Sequence, residues 1–496
     1  MFVDNKGHLR FAYKSFANAI RVHQLSQRIP AVVGLGDEYV RTRVEEALRE
    51  TGHYNVLPVE QMRDKLSEFQ NGLLWLEYED IPFENLGLLL DRVLVNSYCI
   101  RKGLIRKSQM AFVVNKHLSK HPDCILKRAS PETYLFELDD PYYFEEAMSE
   151  VFEVAAELRD NALLDDPTKR KRWILKPSIT NKGAEIFLFD TEDQLREMFE
   201  ERYERFCQED EDEDEDEDDG NENIEEVGGE GSEGESDADR ERRKSQEEWK
   251  EEEEEEDSKD RGAEGADEKK VTTATTTPSG NLAHIREWVI QRYVANPLCL
   301  YGGRKFHIRT YVLAVGNIKV YVYREMLALF AASPYDPSDL QSRCHITNTC
   351  VQAEDPAFEE SKVVRRFWSM DDALPLQTLE CIFQDIKSIT SEVFASVAHE
   401  VTVFQPLRNM FEIYGLDFLV DDDLGVHFLE ANAFPDFGQT GSQLSSLIDA
   451  LFRQAVVVAV EPFFGFETKG DDDAPDLYLV LDLRLRSVNP SGPSPC

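Results

Sequence analysis

The chain has 496 residues, with 55 Lys and Arg against 97 Asp and Glu, a formal net charge of −42 and a pI of about 4.6. Hydrophobic residues make up 41% and aromatics 10%, which supports a sizeable core and excludes a wholly disordered chain. The acidity also argues against a general nucleic-acid binder, because DNA and RNA are polyanions.

The charge is uneven. Between residues 209 and 270, 33 acids stand against 9 bases, a local net of −24, so the other 434 residues carry only −18. The eight cysteines form no CxxC pair and no regular spacing, which argues against a disulfide framework or a zinc site and fits a reducing compartment. Residues 1–16 lack the apolar centre of a secretory signal. No stretch approaches ~18 apolar residues. The expectation is a cytoplasmic protein with no membrane span and no direct nucleic-acid partner.

In chain order, residues 29–34 read as a strand, and Asp37 caps a helix with Val40, Val44, Ala47 and Leu48 on one face, closed by Thr51 and Gly52. Residues 56–57 and 73–76 read as further strands. Gly34-Leu35-Gly36 suggests a dinucleotide turn, but Tyr39 stands where the third glycine belongs, so a plain strand-to-helix turn is expected. A second α/β region covers residues 96–294. Residues 173–175 and 185–189 read as strands, and Thr191 with Gln194 forms a capping box that opens a helix to about Phe206. Residues 209–280 are low-complexity and self-repelling, and they are expected to be a disordered insertion within one domain. Residues 288–294 read as a buried strand. From Lys305 the pattern is β. Residues 306–315 and 318–325 form a hairpin around Gly316-Asn317, and residues 415–432 form another around 421–425. Helices are expected over 376–399 and 442–460, and there are no internal repeats.

The hairpins carry the chemistry. With the second turn centred on residues 422–425, Asp417 faces Glu430, and Asn432 shares their side by the period of two. Carboxylates opposed across antiparallel strands have Cβ atoms roughly 5 Å apart and repel. A hard cation such as Mg²⁺ resolves the repulsion, and an exposed acidic pair on an edge strand is the alternative. With the first turn centred on Gly316-Asn317, Arg309 faces Arg324, while Lys305, His307 and Arg309 share one side. That cationic face suits a phosphate or carboxylate, and pairing with local acids is the alternative. Lys176 ends the apolar run from Trp173, and the small, polar loop over residues 178–183, with Lys182, could fold over phosphates. Lys176 snorkelling to solvent is the competing reading. Residues 101–128 hold eight Lys and Arg against Asp123 alone, which reads either as an anion site or as a solvated helix face.

In order, these strings resemble the tubulin-tyrosine ligase family of ATP-grasp enzymes: Trp173-Ile-Leu-Lys176-Pro, Val289-Ile-Gln-Arg-Tyr-Val294, Gly303-Arg-Lys-Phe-His-Ile-Arg309, Tyr323-Arg-Glu325, His345-Ile-Thr-Asn348, Gly415-Leu-Asp417 and Glu430-Ala-Asn432. The resemblance covers residues 96–465. Residues 96–103 and 432–437 look most like the fungal branch, which includes a protein of mRNA-decay granules whose ligase-like domain accompanies decapping factors.

The resemblance implies an α/β (α+β) ATP-grasp fold. Its N-terminal subdomain would span 1–95, its central subdomain 96–300 with the acidic insertion at 209–280, and its C-terminal subdomain 301–466, followed by a tail over 467–496. It implies ATP and Mg²⁺ as cofactors. Lys107 and Lys176 would face the nucleotide phosphates, and Gln291, Arg292, Tyr293 and Val294 would hold adenine. Lys305 would reach the nucleotide, with Thr347 and Asn348 near ribose and phosphates. Arg309 and Arg324 would hold the transferring phosphoryl group, and Asp417, Glu430 and Asn432 would ligate Mg²⁺. His307 stands where the family usually has Asp. The implied activity is ATP-dependent addition of tyrosine to the C-terminal carboxylate of α-tubulin. Glutamate or glycine addition, or a scaffold for mRNA-decapping factors, are the alternatives. The insertion resembles an acidic tubulin tail and could compete in cis for the same groove.

Overall fold

A computed structural model describes residues 28–179, 186–218, 285–339, 342–347, 363–437, 444–468 and 473–483. The loop residues 180–183 with Lys182, Asn348, and the acidic insertion from residue 219 lie outside the described residues. Contacts divide the chain into one unit of residues 1–200 with 285–496 and a second of residues 201–284.

The first unit opens with β1 (Ile29–Gly34), α1 (Glu38–Thr51), β2 (Tyr54–Pro58), β3 (Gly72–Leu76) and β4 (Val93–Val95). The strands form a parallel sheet in the order β2-β1-β3-β4. Every residue of β3 is buried, as a parallel strand covered on both faces requires. Asp37 caps α1 by accepting from the Tyr39 and Val40 amides, and Gly52 closes it in the left-handed region at φ 73°. The glycine turn before α1 is a plain strand-to-helix turn: the Gly36 amide donates to the Glu77 carboxylate at 2.7 Å.

Next come α2 (Lys107–Lys120), β5 (Thr133–Glu137), α3 (Phe152–Ala162), β6 (Trp173–Pro177), β7 (Phe187–Phe189), α4 (Glu192–Asp218) and β8 (Glu287–Arg292). An antiparallel sheet runs β5-β8-β6-β7. Alternation sorts its residues. Trp173, Leu175, Trp288 and Ile290 join Val154, Leu158, Leu195 and Phe199 in a core beneath the sheet, which leaves Ile174, Lys176, Val289 and Gln291 for the opposite face. The capping box of α4 forms, with Thr191 N–H donating to Gln194 Oε1 at 3.2 Å and Gln194 N–H to Thr191 Oγ1 at 3.4 Å. The helix continues past Phe206 to Asp218, into the start of the acidic run, and no Gly or Pro interrupts that stretch before Gly220.

The third sheet has eight strands: β9 (Cys299–Leu300), β10 (Arg304–Val315), β11 (Lys319–Tyr323), β12 (Leu327–Phe330), β13 (Val364–Arg366), β14 (Phe411–Val420), β15 (Val426–Ala433) and β16 (Leu477–Asp482). Helix α5 (Leu376–Val397) precedes β14, and α6 (Ser445–Ala455) follows β15. β16, which lies in the segment read as a tail, pairs with β11 at the sheet edge. Helix α5 buries Leu379, Ile382, Phe383, Ile386, Ile389 and Val393, each contributing roughly 1.5–3 kcal/mol by leaving water.

The first hairpin departs from its expected register. Val315 pairs with Lys319, so the loop holds three residues, not two, with Gly316 at φ 58° and Ile318 at φ 71°. A left-handed conformation costs a β-branched residue about 1–2 kcal/mol, but Ile318 is completely buried, and that burial is worth more. Arg324 therefore does not face Arg309. It follows the end of β11, while Arg309 lies between Leu327 of β12 and Asp417 of β14.

Candidate active site

A cavity enclosing about 870 Å³ of free space, mouth included, lies between the antiparallel sheet of residues 133–292 and the eight-stranded sheet. Of the candidate residues, Lys107, Lys176, Gln291, Arg292, Tyr293, Val294, Lys305, His307, Thr347, Asp417, Glu430 and Asn432 line it together. Arg309 stands behind Asp417, Arg324 lies elsewhere, and Asn348 is outside the described residues.

The acidic wall comes from the second hairpin. Near the turn Val420 pairs with Val426 and Phe418 with Phe428, one residue off the expected register. Leu429 is then an extra residue, a β-bulge, after which Asp417 faces Glu430 and Gly415 faces Asn432. The bulge cancels the offset, so the carboxylates oppose each other as the spacing predicts. Asn432 Nδ2 donates to Glu430 Oε1 at 3.3 Å and to Asp417 Oδ2 at 3.4 Å, which brings three oxygen-bearing side chains together. Gly415 is required beside them: a Cβ there would sit 2.8 Å from Pro435 Cβ and 3.2 Å from Arg309 Cδ.

Arg309 grips Asp417 bidentately, from Nε to Oδ1 at 2.5 Å and from Nη2 to Oδ2 at 3.0 Å. Burial works against its charge, but the Asp417 carboxylate outweighs it and raises the Arg309 pKa further. Arg309 thus orients a candidate metal ligand and does not itself reach into the cavity. For Glu430, burial opposes ionisation, yet Lys107, 3.4 Å from its Oε2, and Lys176 outweigh that and hold its pKa down to about 2.

The cationic wall is built by alternation. Lys176 lies two residues from Ile174 on β6, and its Nζ donates to Gln291 Oε1 at 2.8 Å, while Gln291 Nε2 donates to Thr133 Oγ1 at 3.0 Å. Lys305 Nζ donates to Tyr293 Oη at 3.0 Å and to the His345 carbonyl at 2.8 Å. Burial pushes the Lys176 pKa down to about 8 and, with Lys176 as a like-charged neighbour, that of Lys305 down to about 7. Among the described residues neither lysine has a carboxylate close enough to offset its desolvation in full, and an anion in the cavity would supply the missing charge. Lys107 opens α2, which is anchored to the end of β6 by its own amide on the Ser178 carbonyl at 3.1 Å and by the Ser108–Ser178 hydroxyl pair at 2.6 Å.

His307 is 3% exposed, with Nδ1 2.5 Å from Thr347 Oγ1 and Nε2 3.9 Å from Asp417 Oδ1. Its Nε2 is buried with no hydrogen-bond partner among the described residues. Burial lowers its pKa to about 4, so the imidazole is neutral at pH 7. A buried polar atom left unmatched beside two carboxylates and three lysines fits a site that receives a polar ligand. The donor set also fits Mg²⁺ with nucleotide phosphates: oxygens for the metal and amines for the anion.

Two of the expected site arginines have their guanidinium groups engaged by acids. Arg324 donates to Glu380 Oε1 at 2.5 Å and lies 3.9 Å over the Trp368 ring, on α5 and the turn before it, away from the cavity. Arg292 lines the cavity, but its guanidinium is held by Glu157 and, at 2.9 Å, by Glu132. Part of the basic run of residues 101–128 is already neutralised by acids from distant segments. Arg101 pairs with buried Glu412, Lys116 with Glu400 at 2.8 Å, and Arg128 with Asp385 at 3.2 Å. Those acids lie some 260 to 310 residues along the chain, where spacing cannot reveal them.

The lining also includes residues the motifs did not assign. Ile174 and Leu419 lie two residues from Lys176 and Asp417, so the period of two could have found them. Leu429 is turned inward by the bulge, which alternation hides. His345 holds Tyr293 Oη at 2.7 Å and, through its carbonyl, Lys305; its nearness to Thr347 was the available signal.

The tubulin-tyrosine ligase family model matches residues 114–466. A probable tubulin–tyrosine ligase of Schizosaccharomyces pombe is 33% identical over 464 residues, covering 92% of this chain and 97% of that protein. The probable tubulin–tyrosine ligase PBY1 of Saccharomyces cerevisiae is 33% identical over 467 residues, covering 90% of this chain and 54% of that protein, so the chain spans about half of that relative's length. A probable tubulin polyglutamylase of Rattus norvegicus is 31% identical over 210 residues, 38% of this chain and 45% of that protein. The crystal structure of the C-terminal domain of K. lactis Pby1, described as an ATP-grasp enzyme interacting with the mRNA decapping enzyme Dcp2, superposes with a TM-score of 0.57 at 26% identity, covering 92% of this chain and 99% of that one. As the ordered motifs predicted, the chain belongs to the tubulin-tyrosine ligase family and has the ATP-grasp fold.

Proposed function

We propose that this protein is an ATP-dependent ligase that joins the amine of an amino acid, tyrosine in the first instance, to the C-terminal carboxylate of α-tubulin. The observation that carries this reading is the convergence of Lys107, Lys176 and Lys305 with Asp417, Glu430 and Asn432 around one cavity. The apolar slot of Ile174, Leu419 and Leu429, with Tyr293 and Val294, takes the adenine. Lys107, Lys176 and Lys305 neutralise the phosphates. Asp417, Glu430 and Asn432 hold Mg²⁺, which when bound screens phosphate charge and aligns the γ-phosphoryl group for in-line transfer. Arg309 fixes the Asp417 carboxylate so that its oxygens are set before nucleotide arrives. The acceptor carboxylate attacks the γ-phosphorus and ADP leaves. The amine then attacks the acyl carbon and phosphate leaves, so the peptide bond forms without a covalent enzyme intermediate.

Incubation with MgATP, labelled tyrosine, glutamate or glycine in turn, and detyrosinated tubulin tests the reading. Incorporation of tyrosine with ADP formed in equal amount supports it, and incorporation of glutamate or glycine alone changes the donor. No incorporation while MgATP still binds supports a second reading, a nucleotide-binding scaffold for mRNA-decapping factors. Two observations favour that alternative: Arg324 is held away from the cavity by Glu380, and a neutral His307 stands where the family's motif carries an acid.

A further inference from the structure

His117, Cys124 and Glu392 bring three different metal-binding atoms together on the far end of α2 from Lys107. One ligand atom from each lies within 4.8 Å of the others, and all three residues are half-buried. His117 sits in the last turn of α2, Cys124 in the loop that follows, and Glu392 on α5. His117 Nε2 is 2.6 Å from Glu392 Oε1. The loop is held by its own backbone, with the His121 amide on the His117 carbonyl at 2.8 Å and the Cys124 amide on the His121 carbonyl at 3.1 Å. Cys124 carries no disulfide. Of the neighbouring cations, Lys116 is neutralised by Glu400 and Arg128 by Asp385.

We propose that His117, Cys124 and Glu392 form a zinc site that clamps α2 to α5, apart from the nucleotide cavity. An imidazole nitrogen, a thiolate and a carboxylate oxygen form a borderline-soft donor set that suits Zn²⁺ and disfavours Mg²⁺. Around a tetrahedral zinc such donors lie about 3.5 Å apart, a shift of roughly an ångström from the present arrangement. Binding releases the Cys124 thiol proton and leaves the ring proton of His117 on Nδ1, so that the Nε2 lone pair is open to the metal. Water fills the fourth position.

The spacing from His117 to Cys124 gives no recognised metal motif, and Glu392 is 275 residues from His117; only the packing of α2 on α5 assembles the three. Metal-stripped full-length protein, titrated with Co²⁺ in excess Mg²⁺, tests the site. One equivalent should produce a thiolate-to-cobalt charge-transfer band that Zn²⁺ abolishes, and Zn²⁺ should raise Tm by about 2–4 °C. Cys124→Ser and Glu392→Gln, both close in shape to the native side chains, should fold, bind MgATP within twofold of wild type, and lose the Tm response. Cys124→Ser should also lose the band. The oxygen ligands Asp417 and Glu430 cannot give a thiolate band, so the signal separates the two sites. Absence of the band in wild type, or its persistence in Cys124→Ser, overturns the proposal.

Discussion

The two hairpins of the eight-stranded sheet were open to the same reading and turned out differently. In β14–β15 the turn is one residue off the expected centre, and the Leu429 bulge restores Asp417 opposite Glu430. In β10–β11 the turn is one residue longer than expected, nothing compensates, and the expected Arg309–Arg324 pair does not form. A turn signal locates a hairpin, but its register depends on which loop residues gain more from burial than they lose to backbone strain. The consequence is chemical. One hairpin delivers its carboxylates to the cavity, while from the other only the β10 residues Lys305 and His307 reach it.

Substitutions can break or sharpen that contrast. The largest effect is expected in β14–β15. Glu430→Gln should weaken MgATP binding by about 100-fold or more, roughly 2.7 kcal/mol, and lower Tm, because Lys107 and Lys176 lose the carboxylate between them. Asp417→Ala should also abolish binding and, by stranding Arg309 as a buried unpaired charge, destabilise the protein by about 3–5 kcal/mol in denaturant titration.

Lys305→Met comes next. The loss of one charged hydrogen-bond donor to phosphate is expected to cost about 10–100-fold in nucleotide affinity. The same variant has a pH signature. Burial holds the folded-state pKa of Lys305 near 7, below the ~10.4 of an exposed lysine. Between those values the unfolded chain binds more protons, so wild-type stability rises with pH. The cost of the buried charge is fully present below pH 7. Lys305→Met should therefore raise Tm at pH 6, and the gain should fade towards pH 10. Conversely, wild-type affinity for ATP should fall as pH rises through the range of about 7 to 8, as Lys305 and then Lys176 lose their charge in the free protein.

Arg324→Ala should be milder. Its ion pair with Glu380 and its contact with Trp368 are part-exposed, so about 1 kcal/mol of stability is expected to go. MgATP affinity should stay within twofold, where an arginine on the phosphates would cost far more. Ile318→Gly tests the turn itself. It relieves the positive φ but removes a fully buried side chain, and a net loss of about 1–2 kcal/mol is expected. A gain in stability would show that strain, not burial, governs that turn.

Local chemistry was legible in the sequence wherever a short-range rule decides it. Asp37 and Thr191 capped the helices they were expected to cap, and alternation put Lys305 and His307 on one face, which lines the cavity. Contacts between distant segments were not legible. Glu400, Asp385 and Glu412 absorb cations that looked available in a linear scan, Glu380 holds Arg324, and the bulge at Leu429 turns inward a residue that strict alternation points away. In each case the deciding partner is fixed by packing on α5 or by the sheet, neither of which periodicity encodes.

Calorimetric titration of MgATP into wild-type protein and Glu430→Gln is the most direct test of the converged carboxylates. Saturable binding at one site by wild type, weakened about 100-fold in the variant at a temperature where both are folded, is the expected result. Equal affinity in the two proteins, or no heat with wild type, would contradict the assignment of Asp417, Glu430 and Asn432 to the metal.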